Sequence, residues 1–372
     1  MRAIQTRRRS RRETQRGTQK VSLGPFQFVG LKDVALFSRQ MAVMIDAGVP
    51  VVQALEILER QFGKKAMAKV LRHIRSTVEA GSSLSDAMGR WKRIFGEFLV
   101  SMVAVGETGG VLGFTLNRVA EYLEKLMALR GKVRSAMIYP AVIFTVAIGA
   151  TIFLLVAVIP TFAQMFATFD AELPLPTRIV IGISNFIQTN GLWLTLGIIA
   201  FAILGYYVFR KNERGRYFSD NVFLHTPVIG NVLRKSAISR FARTLGVLIK
   251  GGVPIIEALE ITARTSGNRV VERAVLEARK SISEGKNISE PLEKSRVFPP
   301  LVTQLIAVGE TTGDLPGMLD KLADFYDMEV DNAVNTMTSV LEPIMLILMG
   351  VIVGGILISL YLPIFSISTV IK

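Results

Sequence analysis

Two glutamates stand out among the polar residues by their position in the sequence. Glu107 lies in VAVGETGG and Glu310 in IAVGETTG, each just before a glycine-containing break where the pattern predicts the end of a helix. Because the dipole of a helix disfavours an anion at its C-terminal end, a carboxylate there indicates a partner. Arg39 and Arg243 lie at matching places upstream, and we expect ion pairs Arg39–Glu107 and Arg243–Glu310. An exposed glutamate without a fixed partner is the alternative.

The sequence patterns of enzymes and of metal sites are absent. The glycine–lysine pairs lack the upstream glycine of a phosphate-binding loop, which disfavours an ATPase. The two histidines, His73 and His225, lie far apart and outside metal-ligand motifs, and there is no cysteine to supply a thiolate or a disulfide. We therefore expect a protein that is not an enzyme and that has no catalytic residue, cofactor or resident metal.

Five acidic residues lie close together ahead of the last apolar segment. They are Asp320, Asp324, Asp327, Glu329 and Asp331. Their spacing favours a solvated helical face over a loop of calcium ligands, and weak cation binding stays open as the alternative.

One passage of the chain occurs twice. FSRQMAVMIDAGVPVVQALEI, which starts at Phe37, returns as FARTLGVLIKGGVPIIEALEI, which starts at Phe241. Each copy continues through the glutamate motif into apolar sequence whose prolines also match, Pro140 with Pro343 and Pro160 with Pro363. Two such long copies indicate a duplicated unit and not a solenoid.

Within each copy the pattern is helical and is interrupted by short turns. The first helix stops at AGVP or GGVP, where Gly48 and Gly252 suit the left-handed conformation after a helix end, and Pro50 and Pro254 suit the first turn of the next helix. Four more glycines flank the glutamates: Gly106, Gly110, Gly309 and Gly313. Strand patterns are scarce, so we predict an all-α protein with two bundles of five or six helices. The last helix of each bundle continues into the membrane.

The apolar residues are clustered into three long uncharged segments. Half of the residues are hydrophobic, and about 20 consecutive apolar residues suffice for a membrane span. The predicted layout is a basic disordered tail (1–30), a first cytoplasmic helical domain (31–135), a first span (136–160), a periplasmic loop (161–190), a second span (191–209), a second cytoplasmic domain (210–340), a third span (341–363) and a periplasmic tail (364–372).

Basic residues set the orientation of these spans. Only Arg178 and Lys372 among the 44 lysines and arginines fall on the side that holds the loop and the C-terminus. The positive-inside rule then places both helical domains in the cytoplasm. Apart from Glu342 at the edge of the third span, no charged residue lies within a span, which disfavours a transporter. Gly350 and Gly354 in the third span permit close helix packing, either within the chain or between copies of it.

The net charge of +14 is concentrated near the N-terminus, where RRRSRR occupies residues 7–12. We expect membrane lipid, and not nucleic acid, to be the partner of this tail. A tail that is merely solvated on the cytoplasmic side is the alternative.

The two copies of F-x-R-x(5)-I-x-x-G-V-P-x-x-x-A-L-E, each followed by A-V-G-E-T-x-G and an apolar span with prolines, resemble the type II secretion F family of inner-membrane platform proteins. The similarity covers about residues 31–368, and the ending from Phe325 to Phe365 is similar to the type IV pilus assembly members of that family. The arginine-rich tail departs from the family pattern.

This resemblance implies a scaffold of the bacterial inner membrane that couples a cytoplasmic hexameric ATPase, for assembly or retraction, to the addition or removal of pilin or pseudopilin subunits. Other inner-membrane assembly proteins and further copies of the chain are implied partners. A type II secretion platform is the alternative to a pilus platform, and a transporter is disfavoured.

Overall fold

The computed structural model describes residues 29–167 and 174–370, and no strand occurs within these ranges. The all-α prediction is confirmed. Residues 1–28, which hold most of the predicted basic tail, lie outside the described residues, as do 168–173 and 371–372.

The chain divides into two compact units, one up to Leu123 and the other from Glu124 onward. Between residues 29 and 123, the described part of the first unit, there are five helices and the start of a sixth. They are α1 (Leu31–Asp46), α2 (Val51–Phe62), α3 (Ala66–Glu79), α4 (Leu84–Gly89), α5 (Lys92–Thr108) and α6 (Leu112–Phe153). We call α1 to α5 with the start of α6 the first module.

Apolar residues at helical spacing build the core of the first module. Leu55 and Leu58 are fully buried on one face of α2, and Leu71 and Ile74 are fully buried on one face of α3. Each such side chain contributes roughly 1.5–3 kcal/mol by leaving water. Polar residues between them keep the opposite faces in solvent, so these short helices are held by packing more than by their intrinsic propensity.

The second unit holds the rest of α6 and nine further α-helices. They are α7 (Ile159–Ala167), α8 (Leu175–Lys211), α9 (Glu213–His225), α10 (Ile229–Lys250), α11 (Ile255–Thr265), α12 (Arg269–Ser283), α13 (Ser289–Lys294), α14 (Pro300–Thr312) and α15 (Leu315–Val370). We call α10 to α14 with the start of α15 the second module.

The repeat in the sequence is also a repeat in the packing. Phe37 of α1 and Phe95 of α5 lie with ring centroids 5.5 Å apart. The matching pair in the second module, Phe241 and Phe298, lies at 4.9 Å. The same aromatic contact therefore joins the first helix of each module to the start of the fifth helix in the first module and to the segment just before the fifth helix in the second.

Three helices of the described part of the chain are long and apolar enough to cross a membrane. They cover Leu112–Met165, Leu175–Tyr207 and Leu315–Pro363. The prediction of three spans is confirmed, and the last helix of each module does run on into an apolar segment. Each of these helices exceeds the length of about 20 residues that a bilayer requires, so part of each lies outside the bilayer.

The second of these helices begins earlier than its hydropathy indicated. The stretch 175–190, expected as part of the periplasmic loop, is the first half of α8. Its Val180 and Ile181 pack in a cluster with Leu155 and Leu360. The Thr177 hydroxyl donates to the backbone carbonyl of Ser359 at 2.6 Å. Contacts with the other two apolar helices therefore stabilise a segment that is too polar for a hydropathy signal.

The prolines of the apolar segments lie inside helices. Pro140 lies within α6, and Pro343 and Pro363 lie within α15. Pro160 is the second residue of α7, directly after a π-helical turn at Leu154–Val158 that joins α6 to α7. A proline removes one backbone donor and crowds the carbonyl four residues earlier, which accounts for the wider turn before Pro160.

Candidate functional site in the two repeated modules

The turn after the first helix has the same geometry in both modules. Gly48 and Gly252 have φ of 80° and 89°. The amides that follow them, of Val49 and Val253, reach back to the carbonyls of Met44 and Leu248 at 2.9 and 3.0 Å. This is the Schellman arrangement that a glycine permits after a helix end.

A proline then starts the next helix in each module. Pro50 is the N-cap of α2 and Pro254 is the N-cap of α11, and their carbonyls accept the first helical hydrogen bonds at 2.9 Å from Ala54 and Ala258. The predicted turns are confirmed as backbone structures.

The two glutamates bind backbone amides. The carboxylate of Glu107 accepts from the amides of Leu84 and Ser85, at 2.6 and 2.8 Å. The carboxylate of Glu310 accepts from the amides of Ile288 and Ser289, at 2.5 and 3.2 Å. These donors belong to the N-terminal ends of α4 and α13.

Each glutamate therefore caps the start of a six-residue helix. The first amides of a helix have no partner within it, and a carboxylate there is favoured by the helix dipole. The predicted ion pairs with Arg39 and Arg243 are wrong, because each anion is matched by two amides and a helix end. Each glutamate lies near the C-terminal end of its own helix, α5 or α14, where the helix dipole disfavours an anion. The contact with the N-terminal end of α4 or α13 offsets this cost.

The glycine before each glutamate allows two helices to approach closely. A Cβ on Gly106 would lie 2.1 Å from Thr115 Oγ1 and 3.0 Å from the Cα of Leu112. A Cβ on Gly309 would lie 2.9 Å from the Cα of Leu315. Close contact with the helix that continues toward the membrane thus requires glycine in both modules.

The glycine that follows each glutamate motif has the same backbone conformation in both modules. Gly110 and Gly313 have φ of 68° and 76°, in the left-handed region. Each lies in the short turn that leads into a long apolar helix, α6 or α15.

The two matching arginines have different partners. Arg39 donates to the side-chain amide oxygen of Asn117 on α6. Arg243 donates to Asp324 at 2.7 Å and to Asp327 at 2.5 Å, both on α15, and only 10% of its side chain is exposed. Burial by itself lowers the pKa of Arg243, but the hydrogen bonds and charges of the two aspartates outweigh this, so the pKa of Arg243 is raised.

The acidic cluster lies on a partly exposed face of α15, as predicted, and pairs with basic residues of two helices. On the α10 side, Asp320 pairs with Lys250 at 3.1 Å, and Glu329 pairs with Lys235 at 2.6 Å. With Arg243 between them, these pairs run antiparallel along α10 and α15. We call this set of contacts the ionic ladder.

Two lysines of α6 extend the ionic ladder on its other side. Lys125 lies 3.5 Å from Asp324 and Lys132 lies 2.6 Å from Asp331. Both lysines were missed from the sequence, although their seven-residue spacing equals that of the two aspartates and indicates two helices in parallel register. Among the described residues, no group of histidine, cysteine or carboxylate side chains is arranged to hold a metal ion.

The glycine pair of the third apolar helix faces open space. A Cβ added to Gly350 or to Gly354 would meet no atom within 4 Å. A role of this G-x-x-x-G pair in close helix packing, within the chain or between copies of it, stays a prediction.

Comparisons with known proteins agree with this duplicated architecture. The family model described as "Type II secretion system (T2SS), protein F" matches the chain twice, at residues 37–160 and 241–363. Each match contains one module and one apolar segment.

Several relatives align over nearly the whole chain. A type IV pilus assembly protein PilC of Myxococcus xanthus is 47% identical over 95% of this chain and 84% of its own length. A PilC of Thermus thermophilus is 45% identical over 91% of this chain and 83% of its own length. A type II secretion system protein F of Aeromonas hydrophila is 35% identical over 91% of this chain and 87% of its own length. The chain belongs to the type II secretion system protein F family.

Proposed function

We propose that this protein is the inner-membrane platform of a type IV pilus assembly machine. The observation that carries the proposal is the difference in identity between two groups of relatives. Those named for type IV pilus or fimbrial assembly range from 36% to 47%, whereas those named type II secretion system protein F range from 33% to 35%. A type II secretion platform is the second candidate, favoured by the latter group.

In this role the protein transmits work and hydrolyses no nucleotide itself. A hexameric cytoplasmic ATPase acts on the two modules, and the long helices carry the displacement to pilin subunits in the bilayer. Helix α6 supports this idea, because its 42 residues lead from the first module into an apolar segment. The close contacts of Gly106 with α6 and of Gly309 with α15 attach these two helices to their modules.

The open glycine face of α15 supplies a surface for a transmembrane partner. Small residues let another helix approach closely within a bilayer. A pilin helix, another inner-membrane assembly protein or a second copy of the chain fits such a face. Anionic lipid is the partner proposed for the arginine-rich tail.

Both modules and the N-terminus lie in the cytoplasm under this proposal, and the C-terminus lies in the periplasm. Single cysteines test the orientation, because the natural chain has none. Cysteines at Thr168 and Ser368 should react with an impermeant thiol reagent in intact spheroplasts, and cysteines at Ser76 and Ser281 should react only after lysis. Thr168 lies outside the described residues. Labelling of Ser281→Cys before lysis contradicts the three-span arrangement.

Isolation of the intact protein from its native membrane, with identification of co-purifying proteins, tests the platform role. Type IV pilins together with a motor ATPase are the expected result. Pseudopilins and a secretin would favour the secretion platform. Substrate flux in liposomes that contain the purified protein alone would overturn both in favour of a transporter.

A further inference from the structure

Helix α9 follows the second apolar helix directly. A single residue, Asn212, separates the end of α8 at Lys211 from the start of α9 at Glu213. Asn212 has extended backbone angles, with φ of −102° and ψ of 129°, so the chain turns here and α9 does not continue the path of α8. Nothing described above for the platform role uses α9.

One side of α9 packs on the second module. Leu224 is buried on this side. The carboxylate of Asp220 accepts a hydrogen bond at 2.8 Å from the backbone amide of Arg269, at the start of α12. A Cβ on Gly230 of α10 would lie 2.4 Å from the carbonyl oxygen of Leu224, so α9 and α10 are in close contact. These contacts fix which side of α9 faces outward.

The outward side of α9 is apolar. Phe218, Val222 and Phe223 are 61%, 48% and 54% exposed. Phe218 and Val222 lie four residues apart and therefore share one face of the helix, with Phe223 beside them. A contiguous apolar surface of this kind indicates a site of interaction.

The end of α8 places the membrane surface next to this helix. Tyr206 and Tyr207 end the candidate span, and tyrosine is enriched at the level of the lipid headgroups. The six residues from Tyr207 to Glu213 correspond to about 9 Å along a helix. Basic residues are also clustered around the junction, as expected beside an anionic membrane surface: Arg210, Lys211, Arg214 and Arg216.

We propose that α9 lies on the membrane surface, with Phe218, Val222 and Phe223 inserted among the lipids. Lipid is the occupant of this face because the adjoining span brings the face to the bilayer before any protein partner binds. Large apolar side chains accompanied by arginine are typical of helices that lie in the interface, where the apolar face is buried by about 5–10 Å. The side of the membrane rests on the orientation proposed above, whereas the contact with lipid does not depend on it.

Quenching by spin-labelled lipids tests this contact in the full chain, reconstituted in nanodiscs of phosphatidylcholine and phosphatidylglycerol. Single cysteines that carry the fluorophore bimane replace the exposed side chains in Phe218→Cys and Val222→Cys, which should leave the fold intact. A nitroxide near the lipid headgroup should quench both probes strongly, and a nitroxide at the end of the acyl chain should quench them less. Absence of quenching at both positions would overturn the proposal.

Two controls separate this contact from the membrane span itself. Ile198→Cys, at an exposed position of α8, should be quenched more by the deep nitroxide than by the shallow one. Ser283→Cys, at the exposed end of α12, should be quenched by neither. Loss of quenching at residue 198 would contradict the span, whereas quenching at residue 198 without quenching at residue 218 would contradict the contact of α9 alone.

A neighbouring position on α9 tests the direction of its apolar face. The ring of Tyr217 lies under the guanidinium of Arg273, 5.8 Å from ring centroid to Cζ, on the side that faces the second module. Bimane at Tyr217→Cys should therefore be quenched less than bimane at Phe218→Cys. Equal quenching at the two positions would contradict the proposal, because α9 would then present no particular face to the lipids.

Discussion

The two modules share their backbone devices and differ in the chemistry of their surfaces. Both have the glycine-proline turn, the glutamate that caps a short helix, and the glycine that admits a neighbouring helix. Around these features the side chains diverge: Arg39 meets a neutral amide on α6, whereas Arg243 is buried between two aspartates of α15. The two modules therefore share the residues that their backbone conformation requires and differ in the side chains on their surfaces.

The surface residues beside the turns show the same divergence. Val111 and Phe114 are about half exposed at the start of α6. The matching positions in the second module are Asp314 and Gly317, and Asp314 accepts a hydrogen bond from the amide of Gly317 at 3.0 Å. One module thus presents an apolar face where the other presents a charged one, which implies that the two modules contact different surfaces of their partners.

The largest expected effect comes from the glycines that both modules share. Gly106→Ala and Gly309→Ala should each destabilise the protein by about 2–3 kcal/mol, because the added methyl overlaps backbone or a buried hydroxyl of the next helix. Thermal unfolding of the full chain in detergent measures this. Gly131→Ala is the control, since a Cβ there meets no atom within 4 Å, and it should be neutral or slightly stabilising. If only one of the two variants lost stability, the two modules would not share this close helix contact.

The matching arginines should differ in their effects. Arg243→Met should cost about 2 kcal/mol, since it leaves two aspartates without their shared partner, and Arg39→Met should cost less, because Arg39 is half-buried whereas Arg243 is buried. A double-mutant cycle of Arg243→Met with Asp327→Asn should show a coupling of about 0.5–3 kcal/mol. Equal effects of the two arginine variants would contradict the difference that we describe.

The glutamate caps should behave alike. Glu107→Ala and Glu310→Ala should each cost about 1–2 kcal/mol, because each leaves two amides at a helix start without an acceptor. The charge exchange that combines Glu310→Arg with Arg243→Glu should restore no stability relative to the single changes. Recovery in the double variant would show that these two residues form a pair after all.

The smallest expected effect is a loss of stability at low pH. Burial alone raises the pKa of Asp324, but the hydrogen bond and charge of Arg243 and the charge of Lys125 outweigh it, so the pKa of this carboxyl is lowered. Asp324 precedes the apolar stretch of α15. Its contribution to stability is complete above its ordinary pKa of about 3.9 and is lost as the pH falls through the lower folded value.

Melting temperatures of the wild type and of Arg243→Met, measured between pH 3 and 8, test this titration. The difference should stay constant down to about pH 5 and shrink below about pH 4. A difference that begins to shrink near pH 6 would point to a different titrating group.

Much of the fold was predictable because its signals are local. A glycine followed by Val-Pro marks a helix end, and a long uncharged segment marks a span. Because the sequence is repeated, each of these patterns occurs twice in the chain. The early start of α8 was missed because Arg178, Asn185 and Gln188 lower its hydropathy, although tertiary contacts hold it in a helix.

The partners of charged residues were harder to predict. Glu107 was assigned to an arginine because the sequence does not show that α5 ends beside the start of α4. The ion pairs of the acidic residues of α15 were not predicted, since a single helix pattern does not reveal the lysines of two neighbouring helices. The matched seven-residue spacing of Lys125 and Lys132 with Asp324 and Asp331 was the available signal.

The central claim is that the protein passes on the work of a motor and performs no hydrolysis. The most direct measurement is the ATP turnover of the cognate hexameric motor, with and without the purified protein in nanodiscs. We predict no hydrolysis by the protein alone, a changed motor turnover in its presence, and a weaker change with Glu107→Arg or Glu310→Arg. Robust hydrolysis by the protein alone, abolished by a point substitution within it, would contradict the account.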